Sequence, residues 1–409
     1  MTPPPVADGV RDPNARMRLP EPVRRERDSR PIGRAALLLL GLTLLITAGC
    51  SPLYVLRAGA AQAQLLHART PIPEVIQDPA TDPASRDKLL FAWEARRFGV
   101  ETLGLDAGEA YTSLVQLESD TLAMVLSAAR RDRLEAVTWW FPIVGRVPYR
   151  GYFSTSRALR EQERLEEEGY DTYLRPTAAF STLGWFADPL PSILLRLGTV
   201  GLVDTILHEI SHAHLFLPGR GRFNESFSNF VGGAGAVAFF CGRDGGGLDT
   251  VLCGRARDRW SDALDFSRFL DALVEETQDL YAAPGLTAEE VIDRKEQLFS
   301  EARTRFRNEV QPSLRSASYE AFLARPLNNA TLLSWMLYYH RLPDFQAFLD
   351  EHGGDLPAAV RAITEQAPQA SDPFDVLPVE EQSADGSAVS QRTPAPERLP
   401  DPPGFRGML

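Results

Sequence analysis

The chain has 409 residues, 24% of them charged and 44% hydrophobic, with a formal net charge of -12. This is a globular mix with room for one large domain or two smaller ones. No block of basic residues interleaves with aromatics, which argues against nucleic acid as a partner, and the acidity reads as a soluble surface.

The N-terminus reads as a targeting segment. Residues 1–34 are rich in Pro and Arg, with Arg24, Arg25, Arg27, Arg30 and Arg34 ahead of an apolar run, Ala35 to Gly49. That run is shorter than the roughly 20 residues of a membrane span and suits the h-region of a signal peptide. It ends in "TAGC" at Cys50, and small residues before such a cysteine resemble a bacterial lipobox. Residues 1–49 are therefore expected to be a signal peptide with a long basic n-region. Cys50 would be the lipidated N-terminus of a protein held on the membrane and facing the periplasm of the bacterial cell envelope. Ser51 carries no inner-membrane retention signal, which favours the outer membrane. The competing reading is a plain signal anchor with an incidental cysteine.

Residues 51–70 show a helix-like apolar pattern, and 71–84 are rich in Pro and Asp and read as loop. A charged amphipathic helix follows over about 84–98. "LVQLESDTLAMVLSAARRD" mixes β-branched and apolar residues, and Glu135–Gly145 reads as a buried strand turning at Pro142. Residues 154–169 form a clear helix, capped by Ser154 or Thr155 and stopped by Gly169. A strand and a turn-rich loop precede the apolar stretch "SILLRLGTVGLVDTILHEISHAHLFL". Further helices are expected over 224–240, 255–282, 287–310, 314–324 and 328–364, with Thr287 and Glu290 in capping-box spacing. Beyond about 366 the composition turns to Pro, Ser, Gln, Asp and Glu, and residues 366–409 are expected to be a disordered tail. Residues 50–365 form the remaining domain. Cys241 and Cys253 leave two readings open, a disulfide formed after export or two unlinked buried thiols.

Three of the six histidines lie in "ILHEISHAHLF" (Ile206–Phe216). On a helix, residues four apart share a face, so His208 and His212 present their imidazoles side by side and could grip one Zn²⁺. Glu209 is rotated by about 100° from His208, a position from which a general base can reach water at the metal. Val203, Ile206, Leu207, Ile210 and Leu217 supply a core face, Asp204 is a candidate N-cap, and Pro218–Gly219 ends the helix. A third ligand is expected from the next helix. Glu225, opening "NESFSNF" after a Gly/Pro-rich turn, is the candidate, with Ser228 and Asn229 able to orient the ligands. His214 falls on another face and is not expected to be a ligand.

The Asn224–Glu225 pair resembles the arrangement of the gluzincin peptidases, whose third ligand is the Glu of an Asn-Glu pair on the helix after HExxH. The interval here is shorter, only residues 213–224 lying between His212 and Glu225. Five blocks in order, "WWFPIVGRVPYRGYF", "YDTYLRPTAAFSTLGWFADPLPSILL", "ILHEISHAHLF", "FNESFSNFV" and "RPLNNATLLSWMLYYHRLPDFQAFL", resemble a bacterial family of predicted zinc aminopeptidases, many of them lipoproteins. The resemblance implies an α+β, mostly helical fold with a zincin-like metallopeptidase core. It implies one Zn²⁺ per chain on His208, His212 and Glu225, with Glu209 as general base and peptides as substrates. Tyr149, beside Arg150 and Tyr152, and Tyr338, beside Tyr339 and His340, are the candidate donors to a tetrahedral oxyanion. Trp185, Phe186 and Asp188 are candidates to line the cleft. The Gly-x-Met-Glu-Asn stretch that holds the substrate ammonium in the large aminopeptidases is missing from the sequence. A zinc endopeptidase acting on envelope proteins and a non-catalytic metal-binding lipoprotein therefore stand as rivals.

Overall fold

The computed structural model describes residues 67–117, 123–141, 145–177, 187–242, 247 and 250–379. In chain order the elements are β1 (Arg69–Pro71), α1 (Ile72–Gln77), α2 (Pro83–Glu101), β2 (Ser113–Val115), β3 (Ala123–Arg130), β4 (Trp139–Phe141), β5 (Gly145–Val147), β6 (Arg150–Tyr152), α3 (Thr155–Glu167), β7 (Tyr170–Thr177) and β8 (Leu190–Pro191). Helices then dominate: α4 (Thr199–His214), α5 (Gly221–Gly242), α6 (Val251–Ala282), α7 (Ala288–Arg305), α8 (Glu320–Leu323), α9 (Asn329–Tyr339), α10 (Leu342–Glu351) and α11 (Leu356–Gln366). The fold is α+β and mostly helical. Among the described residues no helix is long and apolar enough to cross a membrane. The expected signal peptide, Cys50 and residues 51–66 lie outside the described residues.

The strands form three small sheets, ordered β1-β2-β8, β6-β3-β7 and β4-β5. The antiparallel β3/β7 pair is the longest, with Leu126 opposite Leu174 and Val125 opposite Arg175. Side chains alternate across a strand. Leu126, Ala128 and Leu174 accordingly bury one face against Ala158 and Leu165 of α3. The odd-numbered residues of β7 face the other way, where Asp171 accepts from the backbone N–H of Asn329 in α9 at 3.1 Å and from Lys295 in α7 at 2.8 Å.

The largest core gathers α2, α4, α5, α10 and α11 around Leu207, Ile210, Phe227, Phe230 and Phe345. A second, aromatic core joins α6, α7 and α9 around Phe266, Phe299, Phe306 and Trp335. Helix α5 touches both α4 and α6 through small residues. A Cβ on Gly232 would lie 2.7 Å from the backbone oxygen of Asp204, and one on Gly233 would lie 2.3 Å from the Trp260 ring. These glycines let the neighbouring helices approach closely. The Cys241–Cys253 disulfide is formed, tying the end of α5 to the start of α6.

Several local expectations are corrected. Residues 72–77 are helical rather than loop, because Pro73 stands in the first turn, where no N–H is needed. Residues 69–71 are strand, not helix. The strand expected to be buried over Glu135–Gly145 is reduced to β4 in a two-stranded ribbon, and Trp140 is 42% exposed. Pro142 lies outside the described residues. The helix expected over 328–364 is three helices, broken where Arg341 adopts φ 55° and where Gly353 and Gly354 adopt left-handed conformations. Asp204 is not an N-cap: α4 starts earlier, at Thr199, and the Asp204 carboxylate accepts from Arg259 at 2.6 Å. The Thr287–Glu290 capping box is present at the start of α7. Packing continues past residue 366, since Phe374 and Leu377 are buried in the largest core and give residues 367–379 an apolar anchor that composition alone obscures.

Candidate functional site

The site begins with the α4–α5 hairpin. Helix α4 buries Val203, Ile206, Leu207 and Ile210 together with His208, Glu209 and His212, so nearly its whole circumference is covered. It stops at Leu215, and the chain turns through Gly219 at φ 76°. Asn224 closes the turn from both sides. Its Oδ1 accepts from the Leu217 N–H at 3.0 Å and its Nδ2 donates to the Leu217 carbonyl at 2.9 Å. Helix α5 starts at Gly221, so Glu225 stands one turn inside it rather than at its first residue.

This clamp returns Glu225 to the two histidines. The Nε2 atoms of His208 and His212 are 3.2 Å apart, and Glu225 Oε2 is 3.4 Å from each. Charge-assisted contacts between an imidazolium and a carboxylate run to about 2.7–2.9 Å, so 3.4 Å to both rings is long for direct pairing. An ion holding tetrahedral ligands at 2.0–2.1 Å separates those ligands by about 3.3–3.4 Å. The triangle fits an ion of that size, and the two imidazole nitrogens and one carboxylate oxygen are donors that could hold it.

The far side of each ring is fixed by hydrogen bonding. His208 Nδ1 lies 3.0 Å from Asn229 Oδ1, and the Asn229 amide donates to the Tyr338 carbonyl, which leaves Oδ1 to accept from the ring. His212 Nδ1 lies 3.1 Å from Ser228 Oγ, which is 2.7 Å from Ser211 Oγ, and Ser211 donates to the His208 carbonyl at 2.7 Å. With the one Ser211 proton given to that carbonyl, the chain runs from His212 Nδ1–H through Ser228 and Ser211 to it. Both Nδ1 atoms then carry protons, and in the neutral rings both Nε2 lone pairs face the centre of the triangle, the tautomer a metal needs.

The electrostatics concentrate on the same point. Burial alone would raise the Glu225 carboxyl, but the two imidazoles outweigh it and hold Glu225 well below the usual carboxylate range. Burial would lower His212, yet the Glu225 carboxylate raises it. Glu209 is 5% exposed. Burial raises its carboxyl, with His208 and His212 opposing and Glu225 and Asp188 adding to the rise. A raised carboxyl beside two imidazoles suits proton exchange.

A family profile described as "Putative aminopeptidase" matches residues 53–372 of the chain. The chain belongs to that family. Its description points to peptidase activity. No curated protein and no solved structure matches the chain.

In this member of the putative aminopeptidase family the other expected residues divide. Tyr338, from the end of α9, lies against His208 with ring centroids 6.3 Å apart and an interplanar angle of 29°. Tyr149 lies within electrostatic reach of Glu225, Glu209 and Arg175, and burial pushes its phenol up. Tyr339 turns away into the aromatic core, edge-on to Phe266 at 5.0 Å. His340 turns away as well, its Nδ1 2.6 Å from Asp271 Oδ1. His214 accepts from the Asp106 N–H at 3.1 Å and lies 3.2 Å from Thr364 Oγ1, apart from the triangle. Arg150 lies over the Tyr152 ring, its guanidinium carbon 5.3 Å from the centroid. Trp185 and Phe186 fall outside the described residues, whereas Asp188 is buried and acts electrostatically on Glu209.

Two contributors have no sequence signal. Tyr111, at φ 59° and buried, feels both Glu209 and Asp188, and its N–H donates to the Asp188 carbonyl at 2.7 Å. Arg175, 7% exposed on β7, donates through Nη2 to the Tyr338 hydroxyl at 3.1 Å. Strand alternation places Arg175 on the α9 face, but only the tertiary register shows that this face borders the site.

Proposed function

We propose that the chain is a zinc-dependent peptidase, an aminopeptidase with a zincin-like centre, in which His208, His212 and Glu225 hold one Zn²⁺. The observation that carries the reading is the triangle of 3.2, 3.4 and 3.4 Å with both imidazole Nε2 atoms turned inward. When bound there, Zn²⁺ supplies Lewis acidity that polarises a scissile carbonyl and acidifies water. Glu209 takes the proton of the attacking water and passes it to the leaving amine. Its burial supports that role, because a carboxylate with a raised pKa exchanges protons nearer neutrality. The Tyr149 and Tyr338 phenols donate hydrogen bonds to the oxygen that gains charge. Asn229 and the Ser228–Ser211 pair hold the imidazoles in register.

The same proposal includes export and anchoring. Ala35–Gly49 and the small residues before Cys50 support a lipidated N-terminus and peptide substrates from the envelope. The test is metal content and peptide hydrolysis of the purified chain, wild type beside Glu209→Gln, on substrates with free and with blocked N-termini. The expected result is one zinc per chain in both proteins and cleavage of free peptides by wild type alone. Cleavage of blocked peptides would make the enzyme an endopeptidase. Zinc in both proteins with no hydrolysis by either would make it a metal-binding lipoprotein.

A further inference from the structure

Arg175 is charged, largely buried at the site and without a part in the chemistry above. A guanidinium has donors only. Its Nη2 spends one of them on the Tyr338 hydroxyl at 3.1 Å, while its guanidinium carbon lies 5.7 Å from the centroid of the same ring. A phenol oxygen that accepts from Arg175 keeps its own proton for another partner. The Tyr338 ring meanwhile rests against His208, and the Tyr338 carbonyl takes the Asn229 amide that orients that histidine. The phenol is thus held beside the triangle by its ring, its main chain and its oxygen together. Burial and Glu225 push the Tyr338 phenol up, against the pull of Arg175. Tyr149 shares these charges but has no comparable hydrogen bond among the described residues.

We infer that Arg175 is a positioning residue that fixes the Tyr338 phenol as the hydrogen-bond donor to the substrate oxyanion. This rests on the peptidase reading. Arg175 touches no reacting atom; it sets the direction in which Tyr338 donates. The role differs from simple structural support in being expressed through Tyr338.

The experiment is a double-mutant cycle on the zinc-loaded full chain with Arg175→Gln, Tyr338→Phe and the pair. It is read by kcat and KM and by the affinity of a phosphinic peptide that mimics the tetrahedral state. Tyr338→Phe is expected to lower kcat by about 10²–10³-fold, the scale of a lost oxyanion donor. Arg175→Gln is expected to lower kcat by about 10–100-fold with KM within about threefold, because the lost interaction belongs to the transition state. Its affinity for the phosphinic peptide should fall in step with kcat. In the Tyr338→Phe background Arg175→Gln should cost less than about twofold, since the coupling has already been removed. Arg175→Lys, which keeps a charged donor, should recover part of the loss, and it carries the cycle if Arg175→Gln does not fold. Additive losses, or a raised KM with kcat unchanged, would overturn the positioning role while leaving the peptidase reading intact. If wild type cleaves neither free nor blocked peptides, the peptidase reading fails and this inference fails with it.

Discussion

Replacing Gly232 with alanine tests whether the close approach of α4 and α5 sets the ligand triangle. Gly232 is helical, so the backbone tolerates alanine, and the effect is purely steric. The added Cβ would meet Asp204 Oδ1 at 2.6 Å, the Asp204 backbone oxygen at 2.7 Å and His208 Cβ at 3.2 Å. The Asp204 carboxylate is tied to Arg259, and its backbone oxygen cannot move without α4. Restoring an ordinary contact of 3.4 Å from 2.7 Å requires about 0.7 Å of local separation. His208 and His212 travel with α4 and Glu225 stays with α5, so the ligand edges open by a similar amount, well beyond the roughly 0.2 Å that metal–ligand bonds tolerate. Zinc affinity, read by competition with a chelator, is expected to fall at least about 10–100-fold. Overpacking should cost about 1–3 kcal/mol in urea unfolding of the metal-free protein, offset in part by about 1 kcal/mol of helix propensity. Gly201→Ala in α4 is the control. No heavy atom lies within 4 Å of its added Cβ, so it should stabilise by up to about 1 kcal/mol and leave zinc binding unchanged. A Gly232→Ala protein as stable as wild type, with unchanged zinc affinity, would refute the reasoning.

Ser228→Ala and Asn229→Ala remove the acceptors behind the imidazoles without changing charge, and each should weaken zinc binding about 10–100-fold; unchanged chelator competition would show that the rings need no such support. In the metal-free protein the depressed Glu225 contributes stability that is complete above its ordinary pKa of 4.5 and is lost as pH falls further, while the raised His212 contributes stability that is complete below 6.5 and is lost as pH rises through its folded value. Stability should therefore peak between these limits. Urea midpoints across pH in Glu209→Gln would show this free of the raised Glu209, whose own contribution is lost as pH rises above 4.5. Zinc needs the neutral imidazole, so calorimetry in two buffers at the acidic side should detect proton release, and its absence would contradict the upward shift of His212. Reducing the Cys241–Cys253 disulfide should cost about 2–3 kcal/mol for a loop of this length; an unchanged urea midpoint in reductant would deny it any role in stability.

What the sequence reveals here follows the range of the contacts. His208 and His212 share a face through helical periodicity alone, and Glu225 lies on the next helix after a short connection, so the sequence places all three within one hairpin. Asn224 is visible as half of a dipeptide, yet its clamp on both groups of Leu217 is a three-dimensional fact. Tyr338 and Tyr339 differ by one helical step, and only the packing of α9 decides that one faces His208 while the other enters the aromatic core. Arg175 and Tyr111 were invisible because strand register and a left-handed backbone bring them in, and neither leaves a periodic trace. The breaks in the helix expected over 328–364 were missed for a related reason: Arg341 takes a conformation that its residue type gives no warning of.

The proposed ligands and the walls of this site differ in how they are wired to the chain. His208, His212 and Glu225 come from one hairpin, whereas Tyr111, Tyr149, Arg175, Asp188 and Tyr338 arrive from five separate places in the fold. Closing the short hairpin costs little chain entropy, while assembling the walls requires many long-range contacts. Partial unfolding or loss of a peripheral element would dismantle the walls before the hairpin opens. On the proposed reading, such a damaged chain would still capture the ion and would have lost the means to use it, so metal content alone would count broken molecules as whole.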